Sequence, residues 1–210
     1  MKIQRYMVGL YGANCYIVSD EEEREAIVID PGEYSSEIQD YIITNNLNVK
    51  YILLTHGHFD HIGGVEELKK LTQARVAISK EDAPMLLDPS LNLSEMVYKK
   101  ILCNPADILL SDGDTLTFGK YSVEVIYTPG HTKGGVCFKI NNVCFTGDIL
   151  FKGSIGRYDF PGGDFSTLMD SIKNKLLVLG NDVTIYPGHG DSSTIGKEKR
   201  LNMFLRDLME

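Results

Sequence analysis

The sequence has few of the features that mark membrane, secreted and nucleic-acid-binding proteins. It contains no stretch of about 18 uncharged apolar residues, so we expect no membrane span. Its N-terminus reaches Gly9 and Gly12 quickly and lacks the apolar core of a signal peptide, which predicts a cytoplasmic protein. The 21 Lys and Arg residues are outnumbered by 29 Asp and Glu residues, and the formal net charge is −8. This acidic balance argues against a nucleic-acid partner.

Cysteine is also scarce, and its spacing excludes a zinc-ribbon type of site. The four cysteines, at positions 15, 103, 137 and 144, form no C-x-x-C pair. Without a signal peptide we expect no disulfide, and we expect most of these thiols to pack as small buried hydrophobes. Cys137 and Cys144 flank a predicted hairpin turn at Asn141 and Asn142, so they are candidates for neighbours in space.

Length and patterning predict one α/β domain over residues 1–210. A hydrophobic content of 43% and a charged content of 24% are ordinary for a globular chain, and no repeat or linker divides it. Both halves contain strand runs and helices, which favours two sheets packed face to face with helices outside. The pattern predicts strands over 14–18, 26–30, 51–54, 76–78, 115–118, 121–127, 135–140, 143–146 and 183–186. It predicts helices over 35–46, 61–71, 80–87, 165–179 and 195–208, while residues 88–104 give no clear pattern.

Histidine is rare, but every histidine falls inside a short motif. Three lie in T-H-G-H-F-D-H at 55–61, one in T-P-G-H-T at 128–132 and one in P-G-H-G at 187–190. Neutral imidazole is the commonest metal ligand in proteins. Each of these motifs, and T-G-D at 146–148, directly follows a predicted strand. Ligands in α/β proteins tend to bind beyond the carboxyl ends of strands, so the four loops are expected to converge.

The spacing suggests two neighbouring metal ions. His56 and His58 can reach one ion, and Asp60 and His61 point to a second position beside it. His131 can complete the first set and His189 the second, and Gly57 is expected to allow backbone angles that a side chain forbids. The carboxylate expected to bridge the ions is Asp148, although in isolation it would also suit a turn or a helix cap. Imidazole and carboxylate ligands suit zinc, which we expect first, or iron or manganese.

These motifs resemble those of the metallo-β-lactamase-fold hydrolases over essentially the whole chain. The resemblance implies an αββα four-layer sandwich with two divalent metal ions at one edge. It assigns one ion to His56, His58 and His131, the other to Asp60, His61 and His189, and the bridge to Asp148.

Within that family the chain is similar to the small glyoxalase II-type, hydroxyacylglutathione hydrolase-like enzymes. The similarity rests on the segments 146–151, 156–164 and 187–194. It implies a metal-bridging hydroxide that attacks the carbonyl of a small acyl thioester, with Asp60 and Asp148 as catalytic residues. No G-x-S-x-G motif offers a serine nucleophile instead. Full-length glyoxalase II enzymes add a C-terminal helical domain for glutathione, and we expect none here.

Arg157 and Tyr158, which follow the T-G-D motif in the chain, are predicted to contact the substrate. Arg157 lies in a Gly-rich loop, and its guanidinium can clamp a carboxylate. The alternative is a structural salt bridge with Asp159 or Asp164. Tyr158 is predicted either to line the same pocket or to pack.

Several rival functions use the same residues. A persulfide dioxygenase would use one iron, and a lactonase or β-lactamase would use the same metal pair. A metallonuclease fits the metals but not the acidic charge, and a non-catalytic electron-transfer module is an alternative of another class. The expected partner is a small-molecule thioester, with neither nucleic acid nor membrane, and the protein is expected to be a monomer or a homodimer.

Overall fold

Two six-stranded sheets lie face to face at the centre of the computed structural model, which describes residues 1–97 and 99–208. The alternation of side chains along a strand separates the layers. In the second strand, Tyr16 and Val18 face the core between the two sheets. Their neighbours Cys15 and Ile17 face a second core on the outer side of the same sheet. A strand buried on both faces therefore reads as a continuous apolar run.

The first sheet has the order β1-β2-β3-β4-β5-β6. Its first three strands pair antiparallel, and β3 to β6 pair parallel. Its strands are β1 (Lys2–Val8), β2 (Ala13–Ser19), β3 (Glu25–Ile29), β4 (Asn48–Leu53), β5 (Arg75–Ser79) and β6 (Ile108–Leu110).

The second sheet has the order β14-β13-β10-β9-β8-β7. Strands β7 to β10 form an antiparallel meander, and β13 joins β10 in parallel. Its strands are β7 (Thr115–Phe118), β8 (Tyr121–Tyr127), β9 (Val136–Ile140), β10 (Val143–Gly147), β13 (Thr184–Pro187) and β14 (Ser193–Thr194). Between β10 and β13 the chain forms a small separate hairpin of two strands, β11 (Leu150–Phe151) and β12 (Ser154–Ile155).

Helices cover the outer face of each sheet. The helices are α1 (Ser36–Thr44), α2 (Phe59–Ile62), α3 (Val65–Thr72), α4 (Phe165–Ser171) and α5 (Ile195–Leu201). Ile38, Ile62 and Leu68 from the first three pack on the first sheet, whereas Leu168 and Ile195 pack on the second. The predicted four-layer αββα arrangement is thereby confirmed. None of the helices within the described ranges has the length and apolar character needed to cross a membrane.

Four of the predicted helices are shorter or different in the structure. The helix predicted over 61–71 is divided between α2 and α3, since Gly63 abuts the carbonyl of Gly32 and the Gly64 amide donates to Pro31. Residues 80–87 form only a 3-10 turn, Ala83–Leu87. The helix predicted over 165–179 passes into a π-helical turn at Ile172–Leu176. The last helix ends at Leu201, because Asn202 is extended.

Five strands in the described part of the chain escaped prediction. Strand β1 mixes Lys, Gln and Arg with apolar residues and lies at a sheet edge, so its sequence lacks a strand signal. Strand β6 has three residues, and β11, β12 and β14 have two each. Runs that short carry no periodicity from which a strand can be recognised.

Candidate metal centre

All seven predicted ligands come together at one edge of the two sheets. His56 and His58 follow β4, and α2 carries Asp60 and His61. The remaining three, His131, Asp148 and His189, follow β8, β10 and β13 of the other sheet. Six of them fall into two groups whose ligand atoms lie within 4.8 Å of one another: His56, His58 and His131, and Asp60, His61 and His189.

Asp148 lies between the two groups. Its Oδ1 is 3.6 Å from His61 Nε2, and its Oδ2 is 3.7 Å from His131 Nε2 and 3.5 Å from His189 Nε2. Each oxygen thus faces histidine nitrogens, and the carboxylate as a whole faces both groups. This is the position that a carboxylate shared by two cations requires.

Four buried polar atoms of the ligand residues have no hydrogen-bond partner among the residues that the structure describes. They are the Nε2 atoms of His56, His58 and His61, and Oδ1 of Asp148. A buried polar atom without a partner is costly, and most such atoms in proteins are satisfied. His58 instead faces the site with Nδ1, which lies 3.0 Å from His131 Nε2. Because the other three atoms and His58 Nδ1 face the same place, the residues present fit a pair of divalent cations, and nitrogen with oxygen donors suits zinc, iron or manganese.

Hydrogen bonds on the far side of the rings orient the histidines. His61 Nδ1 lies 3.1 Å from Asp30 Oδ2, and His131 Nδ1 donates to the Arg157 carbonyl over 2.7 Å. Thr55 Oγ1 donates to Asp30 Oδ2 (2.6 Å), so it is free to accept the Nδ1 hydrogen of His56 (3.1 Å). With the proton held on Nδ1, the Nε2 lone pair of each ring faces the site.

Asp30 belongs to this arrangement, although the sequence motifs did not assign it a role. It lies close enough to His56 and His61 to be grouped with them as a ligand set. Its oxygens, however, accept from the amide and hydroxyl of Thr55 and contact His61 Nδ1. Since these bonds lie on the side away from Nε2, Asp30 orients ligands and does not act as one.

A second carboxylate missed in the sequence, Asp82, ties the two histidine loops together. It is buried and accepts from the Gly57 amide (3.2 Å), the Thr132 hydroxyl (2.7 Å) and the Gly134 amide (2.7 Å). Burial raises the pKa of Asp82 above its ordinary value, although these three hydrogen bonds oppose the rise. Nothing in the sequence near Asp82 indicates the link, because its partners lie 25, 50 and 52 residues away.

Two glycines in the motifs are needed for space. Gly57 does not have the positive φ that its predicted role implied. A Cβ at Gly57 would instead collide with the side chain of Met85, so close packing is the reason for the glycine. A Cβ at Gly188 would collide with Asp148 Oδ1 and contact the ring of His61.

The loop that carries His189 is held by strand β2 of the other sheet. The Asn14 side-chain amide donates to the carbonyls of Pro187 (3.0 Å) and Gly190 (2.8 Å), and the Asn14 backbone amide donates to Gly188 (2.7 Å). Tyr16 adds a hydrogen bond from its hydroxyl to Pro187. The last ligand is therefore positioned by an early strand.

The pKa shifts of His56 and His58 are opposite in direction to those of His61 and His189. Burial, followed by the nearby His131 and His61, lowers the pKa of His58 to about 3, and burial also holds the pKa of His56 well below its ordinary value. Burial lowers the pKa of His61 too, but Asp148 and Asp60 outweigh it and raise that pKa well above the ordinary value. Asp60 and Asp148 likewise raise the pKa of His189 against the effect of burial.

A cavity of about 320 Å³ opens onto the ligands. Asp60 and Asp148 line it together with His58, His131 and His189. Arg157 also lines it, while its guanidinium forms the ion pair with Asp159 that the sequence offered as an alternative. The structure does not bring Tyr158 to this cavity, since its ring is partly exposed and packs against Phe165.

Comparison with known proteins identifies the family. The model of the metallo-beta-lactamase superfamily matches residues 8–189, a range that includes all seven predicted ligands. The chain belongs to the metallo-beta-lactamase superfamily. The resemblance drawn from its motifs and the fold expected from it are both confirmed.

Relatives within the metallo-beta-lactamase superfamily resemble the chain over nearly their whole length. The hydroxyacylglutathione hydrolase GloC of Haemophilus influenzae is 40% identical over 213 residues, which cover 98% of each chain. The crystal structure of BLEG-1, described as a B3 metallo-beta-lactamase, has a TM-score of 0.93 at 36% identity and covers 98% of this chain and 100% of its own. These relatives carry different activities in their names.

The structure of a third relative bears on the identity of the metal. The structure of TTHA1623 in a di-iron-bound form has a TM-score of 0.84 at 34% identity and covers 96% of this chain and 100% of its own. In this metallo-beta-lactamase superfamily chain, the same types of donor are equally compatible with iron and with zinc.

Proposed function

We propose that this chain is a metal-dependent hydrolase of small acyl thioesters, with a hydroxyacyl-glutathione-like compound as the reference substrate. The observation that carries the proposal is the convergence of buried histidine and carboxylate donor atoms beside an open cavity, three of which (Nε2 of His56 and His61, and Oδ1 of Asp148) have no hydrogen-bond partner among the described residues. Two divalent cations, with zinc expected first, would be held by His56, His58 and His131, by Asp60, His61 and His189, and by Asp148 between them. GloC of Haemophilus influenzae, a hydroxyacylglutathione hydrolase by name, supports the substrate class.

When bound, the cations would polarise the thioester carbonyl and make a water acidic enough to attack near neutral pH. The residues of the chain orient the reactants. A carboxylate oxygen of Asp60 reaches the cavity and can accept a hydrogen of the attacking water, which directs the water's lone pair at the acyl carbon. The new C–O bond forms as the C–S bond breaks, and the proton passes to the departing sulfur. The products are a carboxylic acid and a free thiol.

The cysteines of the chain are poorly placed to act as nucleophiles. Burial raises the pKa of the Cys15 thiol, and a hydrogen bond with Cys137 together with burial raises the pKa of Cys144. Cys103 is less buried, but burial raises its pKa to about 12. A thiol that stays protonated is a weak nucleophile, and none of the four lines the cavity. Attack by water is therefore the reaction that the cavity favours.

The test combines metal analysis with a substrate panel. Purified protein would be analysed for bound metals and assayed with thioesters, lactones and, with oxygen uptake recorded, a persulfide. We expect thioester hydrolysis, with kcat/KM lowered at least about 100-fold in Asp148→Ala. The matched control is Asp170→Ala, an exposed carboxylate on α4. If metal-replete protein hydrolyses no thioester or ester, the proposal is wrong. Oxygen uptake with the persulfide would indicate a dioxygenase instead.

A further inference from the structure

Apart from the ligands, the walls of the cavity at the metal centre are mostly apolar. Five of its lining residues are large and hydrophobic or aromatic: Tyr11, Phe59, Leu93, Phe151 and Phe160. A cavity with apolar walls around a few polar groups binds the apolar part of its ligand through those walls. A hydrophobic cavity of about 150 Å³ is large enough for benzene, so the present cavity has room for a ring-sized group.

The aromatic side chains lie directly beside the ligands. The Phe160 ring centroid is 5.6 Å from that of His58 and 6.3 Å from that of His131, and Phe151 lies 6.4 Å from His189. Tyr11 packs edge-on against Phe59 at 5.0 Å and completes a third wall. A thioester carbonyl placed at the ligands therefore has its substituents within reach of aromatic carbon.

The cavity offers little to an anionic substrate group. Among its lining residues that the structure describes, Arg157 is the one Lys or Arg side chain, and it is the one basic group that is not a predicted metal ligand. Its Nε donates to Asp159 Oδ1 (2.9 Å) and its Nη2 to Asp159 Oδ2 (2.8 Å). The guanidinium carbon also lies 4.0 Å from the centroid of Phe160, so the charge is paired and stacked. A substrate carboxylate would have to displace Asp159 before it gained the same bonds.

We propose that the substrates are thioesters with an apolar acyl group on an uncharged thiol carrier. The proposal rests on the proposed hydrolase function: it keeps the thioester class but expects the hydroxyacyl-glutathione reference compound to be a poorer substrate than an apolar acyl thioester of an uncharged carrier. Phe160, Phe151 and Leu93 bind the acyl group, and Asp159 keeps Arg157 from recognising an anionic carrier such as glutathione. Asp159 thereby sets specificity without touching the reacting atoms.

The first arm of the test varies the acyl group on one uncharged carrier. Wild-type protein loaded with zinc would be assayed with acetyl, butanoyl, hexanoyl and phenylacetyl thioesters of N-acetylcysteamine. We expect kcat/KM to rise at least about tenfold from acetyl to hexanoyl or phenylacetyl, since each methylene adds to binding in an apolar pocket. A flat or falling series would overturn the proposal.

The second arm varies the carrier with the acyl group held constant. Wild-type protein is expected to hydrolyse the N-acetylcysteamine thioester at least as well as the glutathione thioester. Asp159→Asn is expected to shift the ratio about fivefold towards glutathione, because it releases Arg157. Asp170→Asn removes one charge with no bond to Arg157 and should leave the ratio within about twofold. A wild-type preference for glutathione above about tenfold, or an unchanged ratio in Asp159→Asn, would contradict the role of Asp159.

A binding measurement separates this proposal from the hydrolase function. Non-hydrolysable S-alkyl thioethers of N-acetylcysteamine would be titrated calorimetrically into wild-type protein, Phe160→Ala and the control Phe165→Ala, whose ring packs on Tyr158. We expect affinity to increase with chain length in wild type and control, and less steeply in Phe160→Ala. If this holds but all thioesters are inert, the hydrolase function fails and the apolar site remains. Affinity that is independent of chain length overturns the apolar site whatever the hydrolysis results.

Discussion

At the scale of the residue, function depends on where each imidazole carries its hydrogen. The motifs predicted seven ligand residues, because three histidines within six residues have no ordinary structural use, and the fold brings all seven together. They did not reveal Asp30 and Asp82, whose partners lie at least 25 residues away in the chain. Such links exist only after folding, so a single sequence holds no local pattern for them.

Replacing Asp30 by Asn should weaken the metal group that contains His61. The amide would place a donor against Thr55 or the ring of His61, where the carboxylate accepts. We expect the affinity of that group for zinc to fall about 10- to 100-fold, measured by competition with a chromophoric chelator. Asp40→Asn, at an exposed carboxylate on α1, is the control. Equal affinities in the two variants would show that Asp30 does not orient His61.

Metal binding to the group of Asp60, His61 and His189 should release protons near pH 7. The raised pKa values of His61 and His189 mean that both rings keep a proton to higher pH than a free imidazole does, and a cation must displace that proton. Affinity should therefore rise with pH, by up to about tenfold per unit and per proton. His56 and His58, whose pKa values are lowered, are already neutral.

The measurement is titration calorimetry of metal-free protein in buffers of different ionisation enthalpy. The binding event of the His61 group should depend on the buffer more strongly than that of the His56 group. Equal buffer dependence in the two events would contradict the raised pKa values of His61 and His189.

At the scale of the secondary-structure element, the predicted ligands follow the ends of strands, and the short loops and turns after those strands determine how the ligand side chains are oriented. The strand ends were predictable because apolar runs stop at the motifs. The division of the predicted helix 61–71 was not, since it depends on the contact of Gly63 with the distant Gly32. The role of Asp82, which directly precedes the 3-10 turn after β5, was not predictable either, because Asp82 joins two loops that are distant in the chain, 55–61 and 128–134.

Asp82→Asn should loosen both histidine loops at once. One amide oxygen cannot replace the two carboxylate oxygens that accept from Gly57, Thr132 and Gly134. We expect the free energy of unfolding to fall by about 2 kcal/mol, measured by urea denaturation of the metal-free protein. We also expect faster metal loss to a chelator. The neighbouring exposed Glu81→Gln serves as control. A stability within about 0.5 kcal/mol of wild type would exclude this linking role.

At the scale of the whole molecule, the metal centre joins the two sheets. His56, His58, Asp60 and His61 follow the first sheet, whereas His131, Asp148 and His189 follow the second. The stacking of the two sheets could be predicted from strand runs in both halves. The pairing order and the short edge strands could not, because they depend on which strand edges remain free.

Removing the metal should lower the melting temperature. Cations that bind only the folded chain stabilise it by about 4 kcal/mol at a thousandfold excess over Kd, or about 8–16 °C for a chain of this size. Calorimetric scans with and without chelator would measure the difference. It should shrink in Asp148→Ala and persist in Asp170→Ala. An equal melting temperature with and without metal would mean that the cations do not hold the sheets together.

The hydrogen bonds from Asn14 and Tyr16 to the loop of His189 also determine when, during synthesis, the set of donor residues can be completed. Strand β2 is synthesised well before its partner loop, which emerges only after more than 160 further residues. Until then the first six ligands lack both the seventh and the strand contacts that would position it. A nascent chain therefore exposes an incomplete set of donors, and assembly of the full centre has to wait for its last strand.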